Sequence, residues 1–393
     1  MRVVRSIALL FAAIIMTNTA FAAFGDIDTT FGNNGTVTFH TLPNGWIGSS
    51  YPSIVLRQSD GKLIVVGTVF EDVPNTDTNR WYLTIKRYNT NGTIDNSYGS
   101  SGTAIPYNTY GQPASAAIDS NGKLLVGGKH GNYPSVTGPN YIWRFNTNGW
   151  YDSGFGSQGR VSVGTSGQTV MDVDSIRLTA NSTTPSVLYE FAGSIKRLNS
   201  NGTPDNSFGN GGALTGLGKR FVKRDATLFS NASIITAHFV SDGSLTLRGF
   251  NGNGQVDSGF GMGGSSSSYI GGSANQIANF VRSPQGKLVV HGPFTVGAAN
   301  SGSFISSHGG SGFMENSTVF MTWVYSSYDP LTVNADGSIV VGYDGQSRYL
   351  SKYTSNLVLV EYSNAANCRG LLAQPDGKLV CVTFENSIKR FLQ

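Results

Sequence analysis

Charge is scarce in this chain: only 13% of its 393 residues are Asp, Glu, Lys or Arg, and 27 basic against 23 acidic residues leave a net of +4. Arg2 and Arg5 sit in a leader-like start, and without them the formal charge is +2, so nucleic acid is not an expected partner. Five histidines (His40, His130, His238, His291, His308) form no pair at metal-ligand spacing, and no Gly-x-Ser-x-Gly elbow accompanies them. No stretch beyond the start approaches eighteen uninterrupted apolar residues, so no transmembrane helix is expected in the mature chain. Only two cysteines are present. If Asp376-Gly377 is a two-residue hairpin turn, Cys368 and Cys381 fall four residues out of step, and free or partly buried thiols are the expectation.

What the chain has in quantity is glycine, 51 residues, with Asn, Ser and Thr around it, the composition of short strands joined by tight turns. The first segment is read as processing rather than fold. Arg2 and Arg5 precede an apolar run from Ile7 to Met16, and Ala20-Phe21-Ala22 offers small residues at the two positions a leader peptidase reads. Residues 1–22 are therefore expected to be a signal peptide and 23–393 a single exported domain. No Cys follows the cleavage point, which argues against a lipoprotein; periplasm, cell surface and medium all remain as destinations.

The mature sequence repeats. NTNGTIDNSYGSSG (Asn89 to Gly102) returns as NTNGWYDSGFGSQG (Asn146 to Gly159), NSNGTPDNSFGNGG (Asn199 to Gly212) and NGNGQVDSGFGMGG (Asn251 to Gly264), and its second half opens the chain as DTTFGNNG (Asp28 to Gly35). The aromatic markers Phe31, Tyr98, Phe155, Phe208 and Phe260 follow one another at intervals of 67, 57, 53 and 52 residues. A period near fifty means a solenoid or a propeller. A second element precedes each marker: SIVLRQSDGKLIVVG (Ser53 to Gly67), AAIDSNGKLLVGG (Ala116 to Gly128), FVRSPQGKLVVHG (Phe280 to Gly292), LTVNADGSIVVG (Leu331 to Gly342) and GLLAQPDGKLVCV (Gly370 to Val382). Each reads as strand, tight turn and a strand buried on both faces, with Gly67, Gly128, Gly292 and Gly342 expected to close the buried strand. A third strand such as Tyr82 to Tyr88 enters the Asn-Gly turn, and a fourth, Gly102 to Tyr107 or Gly159 to Val163, follows the aromatic-Gly pair.

Four antiparallel strands per repeat make a propeller blade. Central hairpins at Gly61, Gly122, near Thr183, near Ala232, and at Gly286, Gly337 and Gly377 predict an all-β propeller of seven four-stranded blades, with six as the alternative count. The chain ends on a third strand, SIKRFLQ, and begins on a fourth, Thr36 to Phe39, so the two termini are expected to complete one blade and close the ring.

The combination Asp-x-x-Phe-Gly-x-x-Gly, then Asp-Gly-Lys with an apolar run and Gly, then Arg-Tyr-Asn before the Gly turn resembles the bacterial delta-60 repeat family. The resemblance runs over nearly the whole mature chain, strongest from Asp28 to Gly264; Phe304 to Ser317 has lost both the Asp and the Phe-Gly. It implies a secreted or surface-associated bacterial protein with propeller-like repeats, and no settled activity.

The motifs offer little chemistry. Asn89, Asn91 and Asp95 (likewise Asn199, Asn201 and Asp205) resemble part of a calcium loop, but the position two before the first Asn is Arg87, Arg144, Arg197 or Gly249, and a cation there opposes Ca²⁺. No cofactor is expected, with calcium as the alternative; the turn Asp residues Asp95, Asp152, Asp205 and Asp257 are expected to bond their own turns, with the nearby Arg as partner. Asp95, Phe155, Gly156, Asp205, Phe208, Gly209, Asp257, Phe260 and Gly261 are accordingly structural positions. His291 closes an apolar strand and reads as core.

Binding is expected on the loop face around the central channel, where blade-to-blade connections and second-to-third-strand loops emerge. Those segments carry Trp46, Tyr51, Tyr107, Tyr110, His130, Tyr133, Tyr269, Trp323, Tyr325 and Tyr328, with Lys219, Arg220, Lys223 and Arg224 in one connection. Exposed aromatics with polar neighbours suit sugar rings or a protein partner. The expected function is an exported, monomeric binding or scaffolding module whose partner is a carbohydrate or a cell-surface protein. Two alternatives are an enzyme acting on extracellular polysaccharide with carboxylates gathered across blades, for which Asp172, Asp174, Glu190, Glu361 and Glu385 stand outside the repeated turns, and a purely structural surface repeat.

Overall fold

The computed structural model describes residues 23–41, 47–72, 79–104, 111–130, 138–164, 176–178, 187–191, 194–215, 226–228, 234–240, 244–270, 273–274, 277–296, 300–321, 330–342, 349–364 and 367–393. Residues 1–22, where a leader is expected, lie outside them. Among the described residues there is no helix; the chain forms seven small antiparallel sheets, each packed on the next in a closed ring, which is a seven-bladed β-propeller.

Blade 1 comprises Ile47–Arg57, Leu63–Asp72 and Asn79–Tyr88. Blade 2 comprises Gly111–Ile118, Leu124–His130, Asn140–Phe145 and Arg160–Gly164. Blade 3 comprises Ile176–Leu178, Val187–Phe191, Ser194–Leu198 and Ala213–Leu214. Blade 4 comprises Ala226–Leu228, Ile234–Phe239, Ser244–Phe250 and Ser265–Tyr269. In blade 5 the inner strand is split into Ser273–Ala274 and Asn279–Arg282, before Leu288–Val296, Asn300–His308 and Met314–Met321. Blade 6 comprises Leu331–Val333, Ile339–Gly342, Leu350–Tyr353 and Leu359–Ser363. Blade 7 takes Cys368–Ala373, Leu379–Thr383 and Ser387–Phe391 from the end of the chain and Thr36–Thr38 from its beginning.

That last pairing, Thr36 opposite Lys389 and Thr38 opposite Ser387, closes the ring as the terminal sequences predict. Backbone bonds from Gly25 N to Leu392 O and from Leu392 N to Asp26 O then stand in for the turn that joins third and fourth strands elsewhere. In blade 1 the expected fourth strand from Gly102 to Tyr107 is reduced, among the described residues, to a bridge between Lys86 and Thr103; residues 105–110 lie outside them.

The second strands are buried on both sides, as their unbroken apolar runs require: Leu63, Ile64, Val65 and Val66 are almost inaccessible, and so are Leu379, Val380, Cys381 and Val382. The core consequently lies between blades as a series of clusters; one joins Ile64, Val66 and Ile85 of blade 1 to Leu124, Val126, Trp143 and Phe145 of blade 2. Only Gly342 ends its strand. Gly67 and Gly128 lie within theirs, and a Cβ at Gly67 would stand 2.5 Å from Tyr51 O, so the glycine admits a bulged inner strand that steps between Pro52 and Ile54.

The cysteine expectation is overturned. Cys368 and Cys381 form a disulfide with a Cα to Cα distance of 5.5 Å, both fully buried. Two departures from an ideal hairpin bring them together. Gln374 N donates to Lys378 O and Gly377 N to Gln374 O, so the turn has three central residues rather than two. A bulge between Cys368 and Gly370 then sets Cys368 opposite Thr383, on the same side of the sheet as Cys381 and within bridging reach.

Candidate functional site

The repeated motif proves to be a fastening between neighbouring blades. Asp95 Oδ1 accepts the N–H and hydroxyl of Ser97, closing its own turn, while Oδ2 receives Arg87 Nε at 2.8 Å and Lys62 Nζ at 2.9 Å. The other end of Arg87 leaves the blade: its Nη1 donates to Thr147 O of blade 2 at 2.7 Å, and its guanidinium carbon lies 4.4 Å from the centre of the Tyr98 ring. Tyr98 and Gly99 complete the joint, Gly99 N donating to Asn148 O of the same neighbouring turn.

The arrangement recurs. Arg144 pairs with Asp152 at 2.7 Å, reaches Ser200 O of blade 3 and covers Phe155, whose Gly156 N donates to Asn201 O. Arg197 pairs with Asp205 at 2.7 Å, reaches Gly252 O of blade 4 and covers Phe208, beside which Gly209 N donates to Asn253 O. Arg390 and Asp28 do the same between blade 7 and Thr90 O of blade 1, over Phe31. Sequence separation hid this last pair, whose members stand 362 residues apart. At blade 4 the cation is missing. Gly249 occupies the Arg position, a Cβ there would meet the Phe260 side chain at 2.4–3.0 Å, and Phe260 itself fills the space while Gly261 N still bonds Ser311 O of blade 5.

These carboxylates are electrostatically settled. Burial alone would raise Asp95, but the Ser97 hydroxyl, Lys62 and the Arg87 charge hold it well below the usual carboxylate range. Asp28 is lowered in the same way, against its burial, by Thr30, Lys378 and Arg390; Asp152 and Asp205 are also lowered. A carboxylate held ionised by two cations is a poor general acid. The Asn oxygens of the calcium-like pattern are likewise occupied: Asn91 Oδ1 accepts Thr93 N and Oγ1, and Asn201 Oδ1 accepts Thr203 N and Oγ1, the self-bonded turn. Among the described residues no group of three His, Cys, Asp or Glu side chains converges.

The fastenings occupy one face of the ring, with the first-to-second-strand turns. The opposite face, where second-to-third turns emerge, carries a different arrangement at the closing joint. Arg369, the bulged residue of the inner strand of blade 7, lies 4.7 Å from the Phe384 ring centre and 5.8 Å from that of Tyr51 in blade 1. Tyr51 stacks at 6.2 Å on Trp81, which is 5.0 Å from Phe70. All five side chains are half-buried. Phe384 sits in the turn between second and third strands of blade 7, and Phe70 and Trp81 oppose each other at the corresponding end of blade 1, so the run crosses the joint between blade 1 and blade 7, the blade that closes the ring.

At the joint of blades 1 and 2, His130 meets Tyr141 edge-on at 5.7 Å, with Arg160 4.7 Å from the same ring; burial first, then the Arg160 charge, lowers the His130 pKa. Of the sequence-expected binding residues, His130, Tyr51 and Tyr269 are thus placed, Tyr269 exposed and apart. Trp46, Tyr107, Tyr110, Tyr133, Trp323, Tyr325 and Tyr328, the cluster Lys219, Arg220, Lys223 and Arg224, and Asp172 and Asp174 lie outside the described residues. Phe70, Trp81, Arg369 and Phe384 escape sequence reasoning, because each reads as an ordinary strand or turn residue until ring closure brings residues near 51 and 369 together. His291 is core, at 1% exposure.

Three segments, residues 58–98, 120–155 and 190–208, match a family described as a domain of unknown function (DUF5122) beta-propeller. No curated protein matches the sequence. Among solved structures the chain is similar to BamB from Moraxella catarrhalis, at 11% identity over 91% of this chain and 98% of that one, with a TM-score of 0.40. It is also similar to BBS1N, solved in complex with ARL6DN, at 11% identity over 88% and 97% with a TM-score of 0.48. A third is PorZ of Porphyromonas gingivalis, at 9% identity over 91% of this chain and 38% of that one, with a TM-score of 0.43. The three family-matched segments end on or at the aromatic markers Tyr98, Phe155 and Phe208, and with the seven sheets they make this chain a β-propeller repeat protein.

Proposed function

We propose that the protein is an exported binding or scaffolding module that takes a surface glycan or a protein partner on the face opposite its fastenings. The observation that carries this reading is the half-buried run Phe384, Arg369, Tyr51, Trp81 and Phe70 across the joint of blades 7 and 1. Half-buried aromatic rings supply large contact area at low entropy cost, and an arginine lies between two of them. The Arg-Asp fastenings that hold blades together lie on the opposite face. Tyr107 and Tyr133 belong to the same proposal on sequence grounds.

Export follows from the leader-like residues 1–22; N-terminal sequencing of the secreted or periplasmic protein should begin at Ala23, and retention of Met1 in the cytoplasm would refute it. The binding test is a glycan and cell-envelope screen run with and without chelator, comparing the wild-type protein with Tyr51→Ala/Phe384→Ala and Tyr107→Ala/Tyr133→Ala. The first pair should weaken binding at least about tenfold, a loss equivalent to about 1.4 kcal/mol, while melting stays cooperative. Undiminished binding by both double variants would move the site elsewhere, and chelator-sensitive binding would return the Asn/Asp turns to consideration.

A further inference from the structure

On the fastening face, between blades 2 and 3, the repeat departs from itself and leaves a cleft. The residue two after the turn Asp is Thr30, Ser97 and Ser207 at three fastenings, and in each the hydroxyl bonds the Asp Oδ1 at 2.6 Å. At two of them it also receives the free nitrogen of the fastening arginine, Arg87 Nη2 to Ser97 Oγ at 3.2 Å and Arg390 Nη2 to Thr30 Oγ1 at 3.1 Å. Blade 2 has Gly154 there, so only its backbone N–H meets Asp152 Oδ1. Arg144 spends Nε on Asp152 and Nη1 on Ser200 O, and Nη2 has no partner among the described residues.

A cleft of about 270 Å³ opens at this point, lined by Asp119, Lys123, Arg144, Asp152, Gly154 and Asn201 among others. Asp119 is a second unused group. It accepts the N–H groups of Asn121 and Lys123 on Oδ1, while Oδ2 has no partner among the described residues. Arg144 and Asp119 are only 6% and 7% exposed, so each is a buried charged side chain with one polar atom left for something in the cleft.

The charges of the lining cancel, two cations (Lys123, Arg144) against two carboxylates (Asp119, Asp152). A net anion or cation gains nothing overall, whereas a molecule whose neighbouring groups both give and accept hydrogen bonds satisfies Asp119 Oδ2 and Arg144 Nη2 together. Adjacent hydroxyls do this, and the volume, at the small end for ligand sites, suits one sugar ring. We propose that the Gly154 cleft is a binding site for a single uncharged saccharide residue, separate from the face proposed for recognition above.

The repeat supplies its own test. Gly154 has an ordinary φ, and a Cβ there would meet only Asp152 Oδ1, at 3.4 Å, the atom a serine hydroxyl bonds in the other copies. Gly154→Ser should therefore fold, melt no lower than wild type, and place a hydroxyl in the cleft that bonds Asp152 Oδ1 and takes up Arg144 Nη2 as its counterparts do at Arg87 and Arg390. Asp119→Asn is equally native to the fold, since Asn334 begins the corresponding turn of blade 6. Ligand-observed NMR on the purified full chain with a panel of neutral mono- and disaccharides should show binding, weakened at least about tenfold by Gly154→Ser and measurably by Asp119→Asn. Absence of binding by the wild-type protein, equal binding by Gly154→Ser, or binding of inorganic phosphate or free glycine in place of any sugar would each overturn the assignment. Loss in Gly154→Ser with Tyr51→Ala/Phe384→Ala unaffected would separate this site from the other face.

Discussion

Arg87 illustrates how much one side chain holds in this ring. It pairs with a carboxylate in its own blade, covers an aromatic ring and bonds a carbonyl in the next blade, all at 8% exposure. Removing it leaves Asp95 buried with Lys62 alone, and breaking a buried pair costs about 3–5 kcal/mol. Because Lys62 remains, Arg87→Ala should lower unfolding free energy by about 2–3 kcal/mol in urea titration; an unchanged midpoint would mean that the fastening is decorative. The same groups fix the acid response. Asp28, Asp95, Asp152 and Asp205 have folded pKa values below the unfolded ones, so their contribution is complete above the unfolded carboxylate pKa, near 4, and is lost as pH falls below it. His40 and His308 act earlier. Burial first, with the Lys86 charge at His40, lowers both to about 4, so each stays neutral in the fold where the unfolded chain takes up protons. Melting temperature should therefore fall in two stages on acidification, from pH 6.5 to 4 through the histidines and below 4 through the carboxylates. His308→Gln should reduce only the first, leaving the part due to His40.

The turns and hairpins explain which parts of the fold are legible in sequence. Gly149, at φ +87°, packs on blade 1; a Cβ would stand 2.8 Å from Gly99 N and 3.1 Å from the Tyr98 ring. Gly149→Ala should cost more than the roughly 1 kcal/mol of an ordinary unfavourable φ, because the neighbouring blade must also move; scanning calorimetry checks this against Gly211→Ala, where a Cβ meets nothing within 4 Å. Such positions demand one residue type at a fixed spacing, which is why the repeat, the blade count and the terminal closure are readable directly. The degenerate blade 5 obeys the same logic: it keeps Gly312, whose missing Cβ admits Phe260 of blade 4, although it has lost the Asp and Phe-Gly that would reach forward. The disulfide is not readable because a three-residue turn and a bulge each shift register by less than sequence spacing can reveal. Replacing Cys368 and Cys381 with alanine should lower the denaturant midpoint by an amount equivalent to about 2–4 kcal/mol, from a 13-residue separation. The aromatic run at the closing joint is illegible for a further reason, since its members come from opposite ends of the chain and share no repeat position.

In the ring as a whole the fastenings are unevenly distributed. Full Arg-Asp-aromatic fastenings join blades 7, 1, 2, 3 and 4 in succession, and the aromatic half alone joins 4 to 5. Among the described residues, blade 5 is linked to blade 6 by Gln285 Nε2 to Ala335 O at 2.9 Å, and blade 6 to blade 7 by Asn334 Nδ2 to Gln393 Oε1 at 2.6 Å and Ala373 N to Thr332 Oγ1 at 3.0 Å. Blade 6 also ends on Leu359–Ser363, whose Leu359, Val360 and Tyr362 are more than half exposed. The place where the chain's ends meet is thus more firmly tied than a joint in mid-sequence. Local unfolding should begin at blade 6, and native-state hydrogen exchange should release the amides of Ile339–Gly342 before those of Leu379–Thr383. A ring assembled from its two termini would then breathe like a clasp bracelet whose clasp outlasts one of its links.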